Sequence, residues 1–172
     1  MAITLELYLE HQIIRGSFGR YKDDSNFRPI DLLNYVTGEI IELTDAWSAS
    51  LHVEAPPAWL DTVRVKRSQI LLVVAQDTTP LPPRQLRITF VEKRPFRAVL
   101  GLGPFSVSGT LHLNPQEQES LAALEHDSSG RFFVPVTDAT VRSQYHKRWQ
   151  IAAQVMFVNH GAIGYTHTFT EG

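Results

Sequence analysis

Two carboxylates occupy matching short sequences, and a repeated carboxylate is the first candidate for chemistry in this chain. The two sequences are Thr44-Asp45-Ala46 and Thr137-Asp138-Ala139. Paired carboxylates can act as general acid and base, but these two share no neighbouring His or Lys partner. An Asp at a strand end also hydrogen-bonds its own turn backbone. The pattern therefore favours a structural role, with each Asp marking the end of a strand.

Histidine is the residue type that most often binds metals, and the chain contains seven. No two of them show the i, i+4 helical spacing of a zinc-binding helix. His160 and His167, near the end of the chain, are the one pair of interest. Because the sequence also lacks cysteine, it offers no thiolate ligand. We expect no metal site and no cofactor.

Nucleophile and phosphate-binding motifs are absent from the sequence. There is no G-x-S-x-G, no P-loop and no G-x-G-x-x-G. The nearest candidate, Gly101-Leu102-Gly103-Pro104, has a proline where a phosphate loop needs an amide donor. We therefore expect a protein without enzymatic activity.

Basic residues cluster with aromatic residues, a combination suited to single-stranded nucleic acid. The candidate contacts are Arg20, Tyr21, Lys66, Arg67, Lys147, Arg148 and Trp149. Against this reading, 16 Lys and Arg face 18 Asp and Glu, so the net charge is −2. A near-neutral balance favours solvated surface charge. RNA or DNA binding is therefore the alternative function.

Assembly is the function that the sequence favours. Exposed edge strands of a small β protein carry unpaired N–H and C=O groups that can pair with a neighbour. Trp47 and Trp59 lie at predicted strand ends or loops, where aromatic side chains often anchor interfaces. The sequence therefore predicts a homo-oligomer or binding module of unknown ligand.

The elements that position these residues are written twice. Thr44 and Thr137 lie 93 positions apart (137 − 44), and so do Gly16 and Gly109 (109 − 16). A further match, Gln69 with Gln154, has a spacing of 85 (154 − 69). The shorter spacing predicts that copy two lacks eight residues, which we place in the Pro56-Pro57-Trp59 loop because loops absorb insertions readily.

Each copy is predicted to contain strand, strand, short helix, strand and long strand, with the helices at 28–34 and 115–125. One long, bent strand is predicted at 62–76, after a loop at 55–59. The fold class is therefore all-β with minor α, as a tandem duplicated small β-barrel with one helix between strands 2 and 3 of each copy. The predicted domains are 1–77, a proline-rich linker at 78–84, and 85–172, which adds a leading strand at 85–93 and a C-terminal tail.

The bulk composition agrees with a globular protein. The chain is 43% hydrophobic, which is enough for a core. No N-terminal signal is visible, and no apolar run approaches the roughly 20 residues that cross a bilayer. We therefore expect a cytoplasmic protein with no membrane partner.

Copy one resembles the Sm-like small-barrel family. The resemblance rests on 5–9, on 14–18 with Gly16, on 41–46 with Asp45, and on 65–70, where Arg67 precedes an apolar strand. The arginine turn aligns with Ala152-Ala153 in copy two. The stretch 28–46, with DLLN followed by LTDA, also resembles an uncharacterised bacterial family of small β domains. The Sm-like resemblance implies a barrel topology and RNA binding.

Overall fold

A computed structural model describes residues 3–19, 30, 33–34, 38–76, 94–113, 132–146 and 148–169. Apart from the helical residues 30, 33 and 34, these residues form ten strands, two short 3₁₀ turns and the segments that connect them. The strands are β1 (Ile3–Tyr8), β2 (Gln12–Phe18), β3 (Ile40–Ser50), β4 (Ala58–Lys66), β5 (Leu72–Ala75), β6 (Arg94–Leu102), β7 (Phe105–Leu113), β8 (Phe133–Ser143), β9 (Gln150–Asn159) and β10 (Tyr165–Thr168). The first 3₁₀ turn is Arg67–Gln69, and the second is His160–Ala162.

All ten strands belong to one antiparallel sheet, in the order β10-β6-β7-β8-β9-β5-β1-β2-β3-β4. The all-β prediction is confirmed, but the prediction of two tandem barrels is wrong. Strand β5 pairs with β1 on one side and with β9 on the other, so the two copies merge into a single open sheet. We call residues 3–75 repeat 1 and residues 96–168 repeat 2.

The two repeats keep a constant offset of 93 residues from beginning to end. Trp47 pairs with Trp59, and 93 residues later Thr140 pairs with Ala152. Both 3₁₀ turns and strands β5 and β10 follow the same spacing. The predicted offset of 85 and the eight-residue deletion are therefore wrong. The residue of repeat 2 that corresponds to Arg67 is His160, not Ala152.

The same offset corrects three predicted elements. The long strand predicted at 62–76 is β4, the first 3₁₀ turn and β5. The predicted loop at 55–59 gives way to β4 at Ala58. The C-terminal tail contains β10, the fifth strand of repeat 2, which pairs with β6 as β5 pairs with β1.

The repeated Thr-Asp-Ala sequences lie inside β3 and β8 rather than at strand ends. Asp45 and Asp138 each have φ 48°, a left-handed conformation that Asp tolerates better than most residues. The β2–β3 and β7–β8 registers shift beside them, between Arg15 and Ser17 and between Ser108 and Thr110, respectively. Both carboxylates are exposed and belong to a β-bulge, so their repetition reflects backbone geometry.

Glycine is required opposite each bulge. A Cβ at Gly16 would lie 2.9 Å from the Ala46 Cβ and 3.0 Å from the Thr44 carbonyl oxygen. A Cβ at Gly109 would lie 2.5 Å from Val136 Cγ1 and 2.9 Å from the Thr137 carbonyl oxygen. These close approaches explain why both repeats have the same residues at the two glycines and in the two Thr-Asp-Ala sequences, 93 positions apart.

The repeats also share their cores. One cluster is built mainly from repeat 1, around Leu5, Leu7 and Leu43, but includes Phe133 and Phe157 of repeat 2. The other is built mainly from repeat 2 and includes Tyr8, Leu51, Leu72 and Val74 of repeat 1. Burying apolar side chains across the boundary fixes the two repeats against each other.

Several predicted elements lie wholly or partly outside the described residues. Ile30, Leu33 and Asn34 are helical, while the rest of the predicted helix at 28–34 is not described. The helix at 115–125, the strand at 85–93 and the linker at 78–84 are not described at all.

Candidate functional site

The contact between the repeats, which we call the inner joint, is the β5–β9 pairing. Its three residue pairs are Leu72↔Val158, Val73↔Phe157 and Val74↔Met156. All six side chains are buried. The inner joint is therefore an apolar seam in which neither strand has a free edge.

Asn159 clamps the end of the inner joint. Its side-chain Nδ2 donates to the Ile70 carbonyl oxygen at 2.7 Å and to the Arg67 carbonyl oxygen at 3.4 Å. Its Oδ1 accepts from the Gly161 N–H at 2.9 Å. At 4% exposure, the amide is buried with its donors and acceptor used, as a buried polar group requires.

Two more cross-repeat contacts flank this clamp. The Arg67 guanidinium donates to the Gly38 carbonyl oxygen and lies 4.6 Å from the centre of the Phe132 ring. Burial lowers the pKa of Arg67 from its ordinary value. Asn34 donates to the Phe133 carbonyl oxygen at 3.1 Å and accepts from the Phe133 N–H at 2.8 Å.

Among the described strands, the sheet ends at β4 and at β10, which we call the outer edges. Strand β4 is the repeat 1 counterpart of β9, and β10 is the repeat 2 counterpart of β5. The outer edges are therefore the two strands that correspond to the inner joint. Adding 93 to the β5 residues of the inner joint and subtracting 93 from its β9 residues gives the corresponding pairs of β10 with β4. These pairs are Tyr165↔Val65, Thr166↔Arg64 and His167↔Val63.

Backbone directions at the outer edges match this register. The Phe169 N–H bonds to the Arg97 carbonyl oxygen, so the backbone groups of Phe169 point towards β6. Their direction alternates along an antiparallel strand, so the N–H and C=O of Thr166, three residues earlier, point away from β6. The Arg67 N–H bonds to the Glu39 carbonyl oxygen, so the Arg67 N–H points towards β3. By the same alternation, the backbone N–H and C=O groups of Arg64 and Lys66 point away from β3. Thr166 and Arg64 would thus form a hydrogen-bonded pair, as Val73 and Phe157 do in the inner joint.

The predicted nucleic-acid residues do not gather on one surface within the described residues. Arg67 is only 3% exposed, and Trp149 packs against Tyr8 and Phe105 in the core of repeat 2. Lys66 and Arg148 are exposed, but they lie near opposite ends of β9. Arg20, Tyr21 and Lys147 lie outside the described residues.

The predicted interface tryptophans are brought together. Trp47 and Trp59 are directly opposite each other on β3 and β4, with Trp59 77% exposed. They lie on the arm of the β3–β4 hairpin that extends beyond the residues of this register. Sequence reasoning placed Trp59 in a loop, but the structure puts it on an outer edge strand.

One cluster was missed from the sequence. His11 Nδ1 and His52 Nε2 are 2.9 Å apart, although 41 residues separate them. They meet because the Leu51 N–H bonds to the His11 carbonyl oxygen, which joins the β1–β2 and β3–β4 turns. Spacing along the chain carried no signal for this pair. The described residues contain no group of three or more His, Asp or Glu that could hold a metal ion.

Comparison with known proteins gives no match to a protein-family model, to a curated protein or to a solved structure. In the part of the chain that the structure describes, no helix is long and apolar enough to cross a membrane.

Proposed function

We propose that this protein is a non-enzymatic assembly module whose copies join head to tail through β10 of one copy and β4 of the next. We call this contact the outer joint. The observation that carries the proposal is the equivalence of the outer edges to the inner joint, since both ends of the sheet repeat a contact that the chain already makes within itself.

The backbone supports this pairing. Outer edges offer the same outward N–H and C=O pattern as their inner counterparts, so a second copy can continue the sheet in the same register. A contact between two different surfaces is heterologous, and heterologous contacts close into rings when the rotation between copies permits. Exposed side chains on or directly beside these edges, including Leu60, Tyr165 and Phe169, supply apolar area to cover.

The Sm-like resemblance remains part of the proposal. Its support is local: Gly16 sits at a bulge in β2, and Arg67 occupies a turn directly before the apolar strand β5. Binding of single-stranded nucleic acid also remains a proposal, with less support. It would need Arg67 to reach solvent, whereas the side chain is buried under Phe132.

The sharpest test is Thr166→Pro. Proline removes the one N–H of β10 that would bond to Arg64 of the next copy, but it leaves the bonds to β6 in place because those come from Tyr165 and His167. We expect a defined oligomer for the unaltered protein by light scattering and a loss of at least tenfold in association for the variant. Circular dichroism should show that the variant keeps its fold.

Thr166→Ala is the matched control, since it shortens the same side chain and keeps the N–H. It should assemble like the unaltered protein. A Thr166→Pro variant with unchanged mass would overturn the proposal, as would an unaltered protein that is monomeric at high concentration. Salt-sensitive binding of a labelled single strand without assembly would favour the nucleic-acid alternative.

A further inference from the structure

The first 3₁₀ turn presents two carbonyl oxygens to the neighbouring repeat. The carbonyl oxygens of Arg67 and Ile70 converge on one side of the turn, where Asn159 of β9 donates to both. The donor comes from the neighbouring repeat, so these two hydrogen bonds form only when the inner joint forms.

The second 3₁₀ turn has the same backbone geometry. The Ile163 N–H bonds to the His160 carbonyl oxygen at 3.3 Å, against 3.2 Å for Ile70 and Arg67. The residues that precede the two turns have φ −67° and −66°, and the residues that follow have φ −70° and −86°. The carbonyl oxygens of His160 and Ile163 are therefore arranged like those of Arg67 and Ile70. Among the described residues, no β-strand lies beyond β10 to supply a donor.

The residue of β4 that corresponds to Asn159 is Lys66. Asn159 pairs with Phe133 at the end of β9, and Lys66 pairs with Ile40 at the end of β4. Lys66 is exposed in the single copy. An ammonium group carries three donors and no acceptor, so it can serve two carbonyl oxygens as the Asn amide does.

A second pair of counterparts lies beside it. His160 corresponds to Arg67, and its Nε2 is buried with no hydrogen-bond partner among the described residues. Glu39 corresponds to Phe132, the residue that covers Arg67. In the outer joint, Glu39 of the next copy would therefore face the His160 ring.

Building on the proposed function, we infer that the second 3₁₀ turn is a socket for Lys66 of the next copy. Lys66 donates to the carbonyl oxygens of His160 and Ile163, and Glu39 bonds to the His160 ring. Backbone pairing alone would accept any extended strand. The socket makes the outer joint selective for a second copy of this chain and gives the assembly one direction.

Lys66→Met tests the socket directly, because it keeps the length of the side chain and removes the donors. We expect association to weaken about tenfold by light scattering or analytical ultracentrifugation. Lys66→Asn, which copies the residue of the inner joint, should associate within about threefold of the unaltered protein. Arg148→Met is the control for loss of one exposed positive charge away from the outer edges, and it should have no effect.

Failure of this inference is distinct from failure of the proposed function. If Lys66→Met assembles normally while Thr166→Pro dissociates, the sheet edges pair without the socket and the inference is wrong. If Lys66→Asn is as weak as Lys66→Met, the charge rather than the shared geometry matters, which also contradicts it. If Thr166→Pro has no effect, the outer joint itself is wrong.

Discussion

The inner joint and the outer edges are corresponding strands of the two repeats, but their central residue pairs carry opposite kinds of side chain. Val73 and Phe157 are buried in the inner joint, while their counterparts are Thr166 and Arg64. Both strands of the inner joint belong to one chain and are paired within a single copy, so the joint can be wholly apolar. The outer edges face water whenever a copy is alone, and charged side chains on an edge limit non-specific pairing. Under the proposed function, the difference teaches how one contact would be adapted to permanent use within a chain and to reversible use between copies.

The largest effect should come from giving the inner joint an outer-edge residue. Phe157→Arg copies Arg64 and places a charge in the core of repeat 1, beside Leu5 and Leu7. An unpaired buried charge is among the few changes that cost about 4 kcal/mol or more. Urea unfolding should show a loss of that order in the free energy of unfolding. Ala152→Arg, at an exposed position of the same strand, should change it by less than about 0.5 kcal/mol.

A stable Phe157→Arg protein would mean that the repeats do not depend on the inner joint. The core would then belong to each repeat separately, and the outer edges would lose their template.

The reverse exchange should strengthen the outer joint. Arg64→Phe combined with Thr166→Val copies the central pair of the inner joint onto the outer edges. Burying these two side chains is worth about 2–3 kcal/mol, so association should tighten by roughly 30- to 150-fold. Arg64→Phe also removes the exposed ion pair with Glu42, which lowers the free energy of unfolding of each copy by at most about 1 kcal/mol.

Non-specific stickiness is the competing explanation for tighter association. Arg142→Phe exposes the same aromatic side chain on β8, away from both outer edges. It should not change the oligomer. Adding Thr166→Pro to Arg64→Phe should abolish the gain, and persistence of the larger species in that variant would show that the inner joint is not the template.

The parts of the fold that the sequence revealed are those in which both repeats face the same constraint. Gly16 and Gly109 admit no Cβ, and Asp45 and Asp138 share one left-handed backbone conformation. The same residue types were therefore kept, and the offset of 93 could be read from them. All-β composition and most strand positions followed from alternating apolar residues.

The parts that the sequence hid are those in which the repeats have different surroundings. Strand β5 is buried between two neighbours, whereas β10 has one neighbour among the described strands and is partly exposed. Leu72 and Val73 therefore correspond to Tyr165 and Thr166, which share no obvious similarity. A chance match between Gln69 and Gln154 then suggested the wrong offset. The inner joint, which depends on that alignment, could not be inferred.

Tyr8 and Gly101 occupy corresponding positions and differ in the same way. Tyr8 is fully buried, packs on Phe105 and Trp149, and donates from its hydroxyl to Glu6 at 2.9 Å. Gly101 has no side chain because the Tyr165 ring fills that place. The volume of one ring is thus supplied from β1 in repeat 1 and from β10 in repeat 2. Only repeat 1 holds a buried ionisable group there.

The smallest effect, confined to repeat 1, should appear at alkaline pH. Burial, followed by the Glu6 carboxylate, raises the pKa of Tyr8 above its ordinary value of about 10. Because the pKa of Tyr8 is higher in the folded protein than in the unfolded chain, the buried phenol contributes its full stabilisation below about pH 10. That contribution is lost as the pH rises beyond about 10, since the unfolded chain then releases the phenol proton more readily. Tyr8→Phe should cost about 1 kcal/mol at pH 8, through the lost hydrogen bond. That deficit should shrink as the pH passes about 10, in urea unfolding measured across the range, because the phenylalanine has no proton to lose. Tyr145→Phe, at an exposed ring of repeat 2, should follow the unaltered protein throughout.

A Tyr8→Phe deficit that stays constant with pH would show that Tyr8 ionises equally in the folded and unfolded chains. The burial that distinguishes the two repeats at this position would then have no electrostatic consequence.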